Sequence, residues 1–425
     1  MYASSSFSSL AGTVHIPASK SHTIRAVLLS AFANGTSVIN CPLVSDDTLA
    51  ALDAARAFGA EVAEEPDRWL ITNTDILAEP PKERQIDVKN SGTTLYMSMA
   101  LASTLAGSTY FDGDDQIRRR SAKNLLIALE DLGATTHSNA GCCPLMIEGV
   151  MRGGRTVIEC PTSQYLSALL MAAPMCSKDT EIEVPMLMER PYVLMTLDWL
   201  ARLDVNIDCS DDFSLFTIRG NQRWSEFTCD ISGDYSSATF FIVAAGVTRS
   251  VITITGLERD DIQGDKAILD YMSQMGMKIE WSDDGLIVDG TNGLCGVELD
   301  LNATPDALPI LAVAGAFAEG RTRLYNVEQA RIKETDRIYV MAAELRKLGV
   351  KIEELQDGLI IEGGNVTGGE VCGHGDHRVV MSLLVAGLGA KDAVQVDTAE
   401  SMNVTVPEFV PLISGLGGSI EIRKI

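Results

Sequence analysis

The chain has 425 residues, of which 46% are apolar and 22% charged, so it is long enough for two or more domains with real cores and too apolar for disorder. Its formal net charge is −24, which excludes a general nucleic-acid binder and makes any local cluster of Lys and Arg informative. No apolar run reaches the roughly 18 residues of a membrane helix, and the N-terminal stretch MYASSSFSSLAGTVHIP lacks the basic start and apolar core of a signal peptide, so a cytoplasmic protein is expected.

In chain order, helix patterns open on polar clusters: PASKSHTIRAVLLSAFA, NSGTTLYMSMALA, PTSQYLSALLMAA, SGDYSSATFFIVAAG, TPDALPILAVAGAFA, KETDRIYVMAAELRK and GDHRVVMSLLVAGLG. Each puts Ser, Thr, Asp or Pro at the cap or first turn and then runs apolar. They read as the second helix of most copies of a repeat. The copies are marked by helix ends followed by short alternating strands, as in AFGAEVAEEPDRWLITN, QMGMKIEWSDDGLIVDG and KLGVKIEELQDGLIIEG. The helix-ending residues are Gly59, Gly133, Asp204, Gly276, Gly349 and Gly417, spaced by about 68 to 74 residues. Gly suits a left-handed cap and Asp is a tolerated substitute. Six copies in two groups of three is the simplest architecture, with the crossover near Thr228 to Asp234. The last copy reaches the C-terminus, so the chain is expected to close on a whole repeat.

Capping explains the Ser, Thr and Asp residues but not the cations. Lys20 and Arg25, then Lys333, Arg337 and Arg378, fall in or near first turns. In RIKETDR, five of seven residues are charged, and Lys333, Glu334, Asp336 and Arg337 read as part of a helix's first turn. Free N–H groups, the helix dipole and fixed cations together make an anion site. Asp336 reads as an ordinary acid favourable to the dipole. The nine cysteines are scattered, with no Cys-x-x-Cys, and fit mostly buried reduced thiols rather than a metal site. A P-loop is absent.

The motifs PASKSHTIRA, NSGTT, DGDDQIRRRS, TSQYLSALLMAAP, ERPYV, TPDALPILAVAGAFAEG, RIKETDR and GDHR, in this order, run across nearly the whole chain. With them the sequence resembles the 5-enolpyruvylshikimate-3-phosphate synthase family. The resemblance implies an α/β, two-domain enolpyruvyl-transferase fold. Each domain would hold three repeats of a βαβαββ-like unit, with the ligand cleft between domains. Residues 1–17 plus 232–425 would form a discontinuous domain, and 18–231 the other. The implied reaction moves the enolpyruvyl group of phosphoenolpyruvate onto the 5-hydroxyl of shikimate 3-phosphate and releases phosphate. No cofactor or metal, no nucleic-acid or membrane partner and a monomeric state are expected. A transferase with another anionic acceptor, or a non-catalytic metabolite binder, is the alternative.

By motif, the resemblance implies that Lys20 touches phosphoenolpyruvate and that Ser21 and Arg25 bind shikimate 3-phosphate. Gly92 is the small residue of N-x-G-T. Arg120 would bind phosphoenolpyruvate and Gln164 both substrates, with Thr162, Ser163 and Tyr192 around shikimate 3-phosphate. Asp306 would hold the reacting hydroxyl and help remove its proton. Glu334 would serve the methylene carbon of phosphoenolpyruvate, and Lys333 would bind shikimate 3-phosphate and join the proton relay. Arg337 and Arg378 would clamp phosphoenolpyruvate, with His377 beside them. Gln329 stands where some relatives carry Asn near shikimate 3-phosphate. Two positions depart from the family: Tyr96 stands where many relatives have Arg, and Val404, in NVTVP, replaces a lysine that contacts phosphoenolpyruvate. His15, His22, His137 and His374 read as ordinary surface or core histidines, and Arg118 and Arg119 as structural or solvated.

Overall fold

The computed structural model describes residues 1–73 and 76–424. The chain forms two compact units, Met1–Ser19 with Ser232–Ile425, and Lys20–Ile231. Ala18 and Ser19 belong with the first: Ala18 bridges Gly233, and the Ser19 amide donates to the Ser232 carbonyl at 2.8 Å.

All six predicted helix-ending residues have positive φ, from 57° at Asp204 to 113° at Gly59. A left-handed residue at that point satisfies the last helix carbonyls and turns the chain back. After the first five of them the chain forms an antiparallel hairpin, such as Glu61–Glu65 with Arg68–Asn73 and Lys351–Leu355 with Gly358–Glu362. Each hairpin completes a four-stranded sheet whose other two strands run parallel. Parallel neighbours need a long crossover. Between Glu83–Asp87 and Ser108–Asp112 it is the helix Gly92–Ala102. That unit continues through the helix Lys123–Asp131 to the hairpin Thr135–Asn139 and Cys142–Glu148, the order β-α-β-α-β-β.

The polar-opening helices are therefore mostly the first helix of the repeat, not the second. Only the one that follows RIKETDR is a second helix. The reason is burial. Tyr235–Val247 is buried along all its length, and Leu308–Phe317 and His377–Gly389 nearly so. A helix apolar on all sides belongs in a core, and these three pack on one another inside their unit. The sheets cover them with one apolar face. In Val251–Thr255, for example, Ile252 and Ile254 are buried and alternate with more exposed neighbours.

The chain does not close on a whole repeat. In the last sheet, the C-terminal strand Ser419–Arg423 pairs with Tyr2–Ser6, which also pairs with Val394–Val396. The missing hairpin strand is supplied by the N-terminus. Similarly, Thr13–His15 pairs with Val251–Thr255, and Thr228–Asp230 with Gly35–Asn40. Among the described residues, no helix is long and apolar enough to cross a membrane.

Candidate active site

The cations and carboxylates of the first unit meet where its central helices begin. Arg337 is the first residue of the helix Arg337–Lys347 and is 1% exposed. The helix start is capped by Asp336, which accepts from the Tyr339 amide at 3.0 Å. Asp336 is thus the cap, and Lys333, Glu334 and Thr335 precede the helix rather than filling its first turn. A buried cation at a helix N-terminus opposes the dipole and needs compensation. Three carboxylates provide it. Arg337 Nη1 donates to Asp306 Oδ1 at 2.8 Å, Nη2 to Glu334 Oε2 at 2.6 Å, and Nε to Asp376 Oδ2 at 2.8 Å.

Asp376 also accepts from Thr335 Oγ1 and from the Arg378 amide, so it caps His377–Gly389 while holding Arg337. Arg378 lies 3.0 Å from Asp306 Oδ2 and donates to Ser236 Oγ at 2.8 Å. One arginine thereby ties the starts of three buried helix segments together. Burial pushes the Asp306 carboxyl up, but Arg378, Arg337 and Lys333 outweigh that and hold it well below the usual range. Burial likewise opposes ionisation of Asp376, and Arg337 more than offsets it. In Arg337, burial lowers the pKa, while Asp376, Glu334 and Asp306 together raise it further. Gln329 is buried and donates to the Asn302 carbonyl at 2.9 Å. His377 is buried at the first position of its helix. Val404 ends the short 3-10 helix Ala399–Val404 and is half-buried.

In the second unit, Lys20 opens the helix Lys20–Ala31, with Nζ 3.0 Å from Asp47 Oδ2. Arg25, one turn on, is 2% exposed. It donates to Thr196 Oγ1 at 2.9 Å, the Ser21 carbonyl at 3.0 Å and the Tyr192 carbonyl at 3.1 Å. These are neutral oxygens, and among the described residues no carboxylate pairs with Arg25. Burial lowers its pKa to about 10.

Thr162 caps Ser163–Ala172, accepting from the Gln164 amide at 3.4 Å. Gln164 Nε2 donates to Thr93 Oγ1 at 2.9 Å, joining two helix starts. A Cβ on Gly92 would lie 2.5 Å from Arg120 Nη1, so only glycine leaves that guanidinium in place. Tyr96 lies near Arg120. Burial pushes its hydroxyl up to about 12 despite the arginine's opposing pull, and it donates to the Ser121 carbonyl. Arg118 forms a two-pronged bond to Asp112, a structural use. His22 accepts from Trp199 Nε1 at 2.8 Å and is a core histidine.

Three residues at these sites went unassigned in the sequence: Asp376, Asp47 and Glu189. Asp376 and Glu189 sit inside the quoted motifs GDHR and ERPYV, and Asp47 lies in SDDT at a helix start, where capping alone accounts for an acid.

The repeated βαβαββ unit and a cluster of arginines and carboxylates at helix starts define an enolpyruvyl-transferase fold. The family model of EPSP synthase (3-phosphoshikimate 1-carboxyvinyltransferase) matches residues 5–413. The protein named 3-phosphoshikimate 1-carboxyvinyltransferase from Acetivibrio thermocellus is 45% identical over 415 residues, covering 97% of each chain. Its counterpart from Methanocella arvoryzae is 41% identical over 428 residues, covering 99% of this chain and all of the other. A solved EPSP synthase structure from Acinetobacter baumannii shares the fold, with a TM-score of 0.83 at 24% identity and full coverage of both chains. The chain belongs to the EPSP synthase family.

Proposed function

We propose that this chain transfers the enolpyruvyl group of phosphoenolpyruvate to the 5-hydroxyl of shikimate 3-phosphate and releases phosphate, the reaction of its family. The observation that carries the mechanism is the pair Asp306 and Glu334, both bonded to Arg337. The reaction needs a proton delivered to the methylene carbon and another taken from the attacking hydroxyl. Two carboxylates held by one buried cation suit that division.

Asp306 receives the hydroxyl proton as the oxygen bonds to the neighbouring carbon of phosphoenolpyruvate. Glu334, with Lys333 in the relay, serves the carbon that becomes a methyl group. The tetrahedral intermediate then breaks its bond to phosphate, and the methyl group returns a proton as the double bond re-forms. Arg337 and Arg378 bind the anion of phosphoenolpyruvate, with Lys20 and Arg120 also assigned to it. These arginines now hold Asp306 strongly ionised and weakly basic. An anion that draws them off raises its basicity, so substrate binding prepares the base. Ser21, Arg25, Thr162, Ser163, Tyr192 and Gln329 are assigned to shikimate 3-phosphate, and Gln164 to both substrates. The support for Arg25 is its burial among neutral oxygens.

The test is phosphate release by the purified protein with both substrates and with each alone. Release only with both is the expected result. No release with both, while shikimate 3-phosphate binds, would point to another acceptor or to a lost phosphoenolpyruvate site.

A further inference from the structure

Three donors of the second unit converge on one oxygen. Glu189 Oε2 accepts from the Ser163 hydroxyl at 2.9 Å, the Ser163 amide at 3.2 Å and the Thr162 hydroxyl at 3.3 Å. Glu189 is 2% exposed and stands immediately before the helix Arg190–Arg202. Its backbone is left-handed, with φ 59° and ψ 40°, a conformation an L residue adopts only at a cost. Strain of this kind collects at ligand sites.

Capping accounts for the bond from the Ser163 amide but not for those from the two hydroxyls. The helix Ser163–Ala172 already has Thr162 as its cap, so Glu189 adds a second acceptor at a start that has one. Nor is the following residue directed there. Arg190 donates to the Asp211 carbonyl at 2.7 Å and lies over the Phe213 ring at 3.8 Å. What Glu189 does is accept the hydrogen bonds of both hydroxyls. A hydroxyl has one proton to give. With both given to Glu189, Thr162 and Ser163 present lone pairs to anything else, and a carboxylate stands beside them.

The geometry points to Glu189 as a positioning residue that acts through Thr162 and Ser163: its carboxylate fills the place of the acceptor's anionic group, and the acceptor gains those hydroxyl protons only in exchange for it. This rests on the reading of Thr162 and Ser163 as acceptor contacts. Glu189 thereby sets the acceptor affinity. Without ligand it also satisfies donors that would otherwise be buried at a helix start.

The test is titration calorimetry of shikimate 3-phosphate into the wild-type protein, Glu189→Gln and Glu189→Ala, with melting curves and steady-state kinetics for all three. Gln keeps the size and one acceptor oxygen and removes the charge. The expected result is acceptor binding about tenfold tighter in Glu189→Gln, equal to about 1.4 kcal/mol. The acceptor KM should fall with it, while the KM for phosphoenolpyruvate holds. Glu189→Ala is expected to move in the same direction. Unchanged or weaker acceptor binding in folded variants, with wild-type binding intact, overturns the inference and leaves the proposed function standing. Failure of both variants to fold also overturns it, since Glu189 would then be a structural carboxylate. If the wild-type protein binds no shikimate 3-phosphate, the functional reading falls and this inference with it.

Discussion

Arg337 reaches Asp376 through two nitrogens, Nε to Oδ2 at 2.8 Å and Nη2 to Oδ1 at 3.1 Å, with both side chains buried. This pairing fixes the start of one helix against the cap of another. Removing one partner of such a pair leaves a buried charge and costs about 3–5 kcal/mol. Asp376→Ala is therefore expected to lower stability by about that amount, read from urea or thermal unfolding. A change within about 0.5 kcal/mol, the range of an ordinary surface substitution, would show that Asp306 and Glu334 suffice to hold Arg337.

The same cluster sets an acid limit. Against burial, Arg378, Arg337 and Lys333 lower the pKa of Asp306, and Arg337 and His377 lower that of Asp376. A depressed carboxylate contributes stability that is fully present above its unfolded pKa of about 4 and is lost as pH falls through the folded value. The melting temperature is expected to be insensitive to these groups from pH 7 to about 5 and to fall below about 4. In Arg337→Met their folded pKa values rise toward or past the unfolded value, so the stability lost below about pH 4 should shrink and the profile flatten. Superimposable profiles for the two proteins would contradict the assignment.

Much of this architecture is legible in the sequence. The six turn-back positions could be read because a left-handed cap has a residue signature and a hairpin an alternating one. The joining of the N-terminal strand Tyr2–Ser6 to the C-terminal strand Ser419–Arg423 could not, because a strand carries no mark of a partner at the far end of the chain. The site divides in the same way. That Lys20, Arg25, Lys333, Arg337 and Arg378 are too many cations for capping is visible in composition and spacing. That Arg337 is shared among Asp306, Glu334 and Asp376, while Arg25 donates to the neutral oxygens of Ser21, Tyr192 and Thr196, depends on packing between distant segments. Glu189 was hidden for another reason. Nothing in ERPYV marks an acid beside Arg190 as inward-facing, yet its carboxylate turns to Ser163.

The two proposed proton carriers can be tested separately from binding. Asp306→Asn and Glu334→Gln keep volume and remove the charge. General acid–base groups typically contribute about 10²–10⁴ in rate. Each variant is expected to lose phosphate release on that scale while still binding shikimate 3-phosphate by calorimetry. If both kept wild-type turnover, the mechanistic assignment would be wrong.

Gly92 tests the placement of Arg120. A Cβ there comes within 2.5 Å of Arg120 Nη1 and 3.6 Å of Gln164 Oε1. The guanidinium is the movable partner, so Gly92→Ala should displace it rather than unfold the protein. If Arg120 binds phosphoenolpyruvate, the KM for that substrate rises by about tenfold, worth about 1.4 kcal/mol, and the melting temperature barely moves. A rise in the acceptor KM alone would move Arg120 to the other substrate.

Val404 is where the family resemblance expects a cation and finds none. It is half-buried at the end of the short 3-10 helix Ala399–Val404. An alkyl side chain cannot contribute to holding an anion, so affinity for phosphoenolpyruvate has to come from the remaining cations. Val404→Lys restores the charge, and a lysine stem can lie along apolar surface while its ammonium reaches outward. A charge-assisted bond to the substrate is worth about 1.5–3 kcal/mol. The KM for phosphoenolpyruvate is therefore expected to fall by roughly tenfold or more, with the acceptor KM unchanged. An unchanged KM for phosphoenolpyruvate would show that position 404 does not reach the anion in this chain.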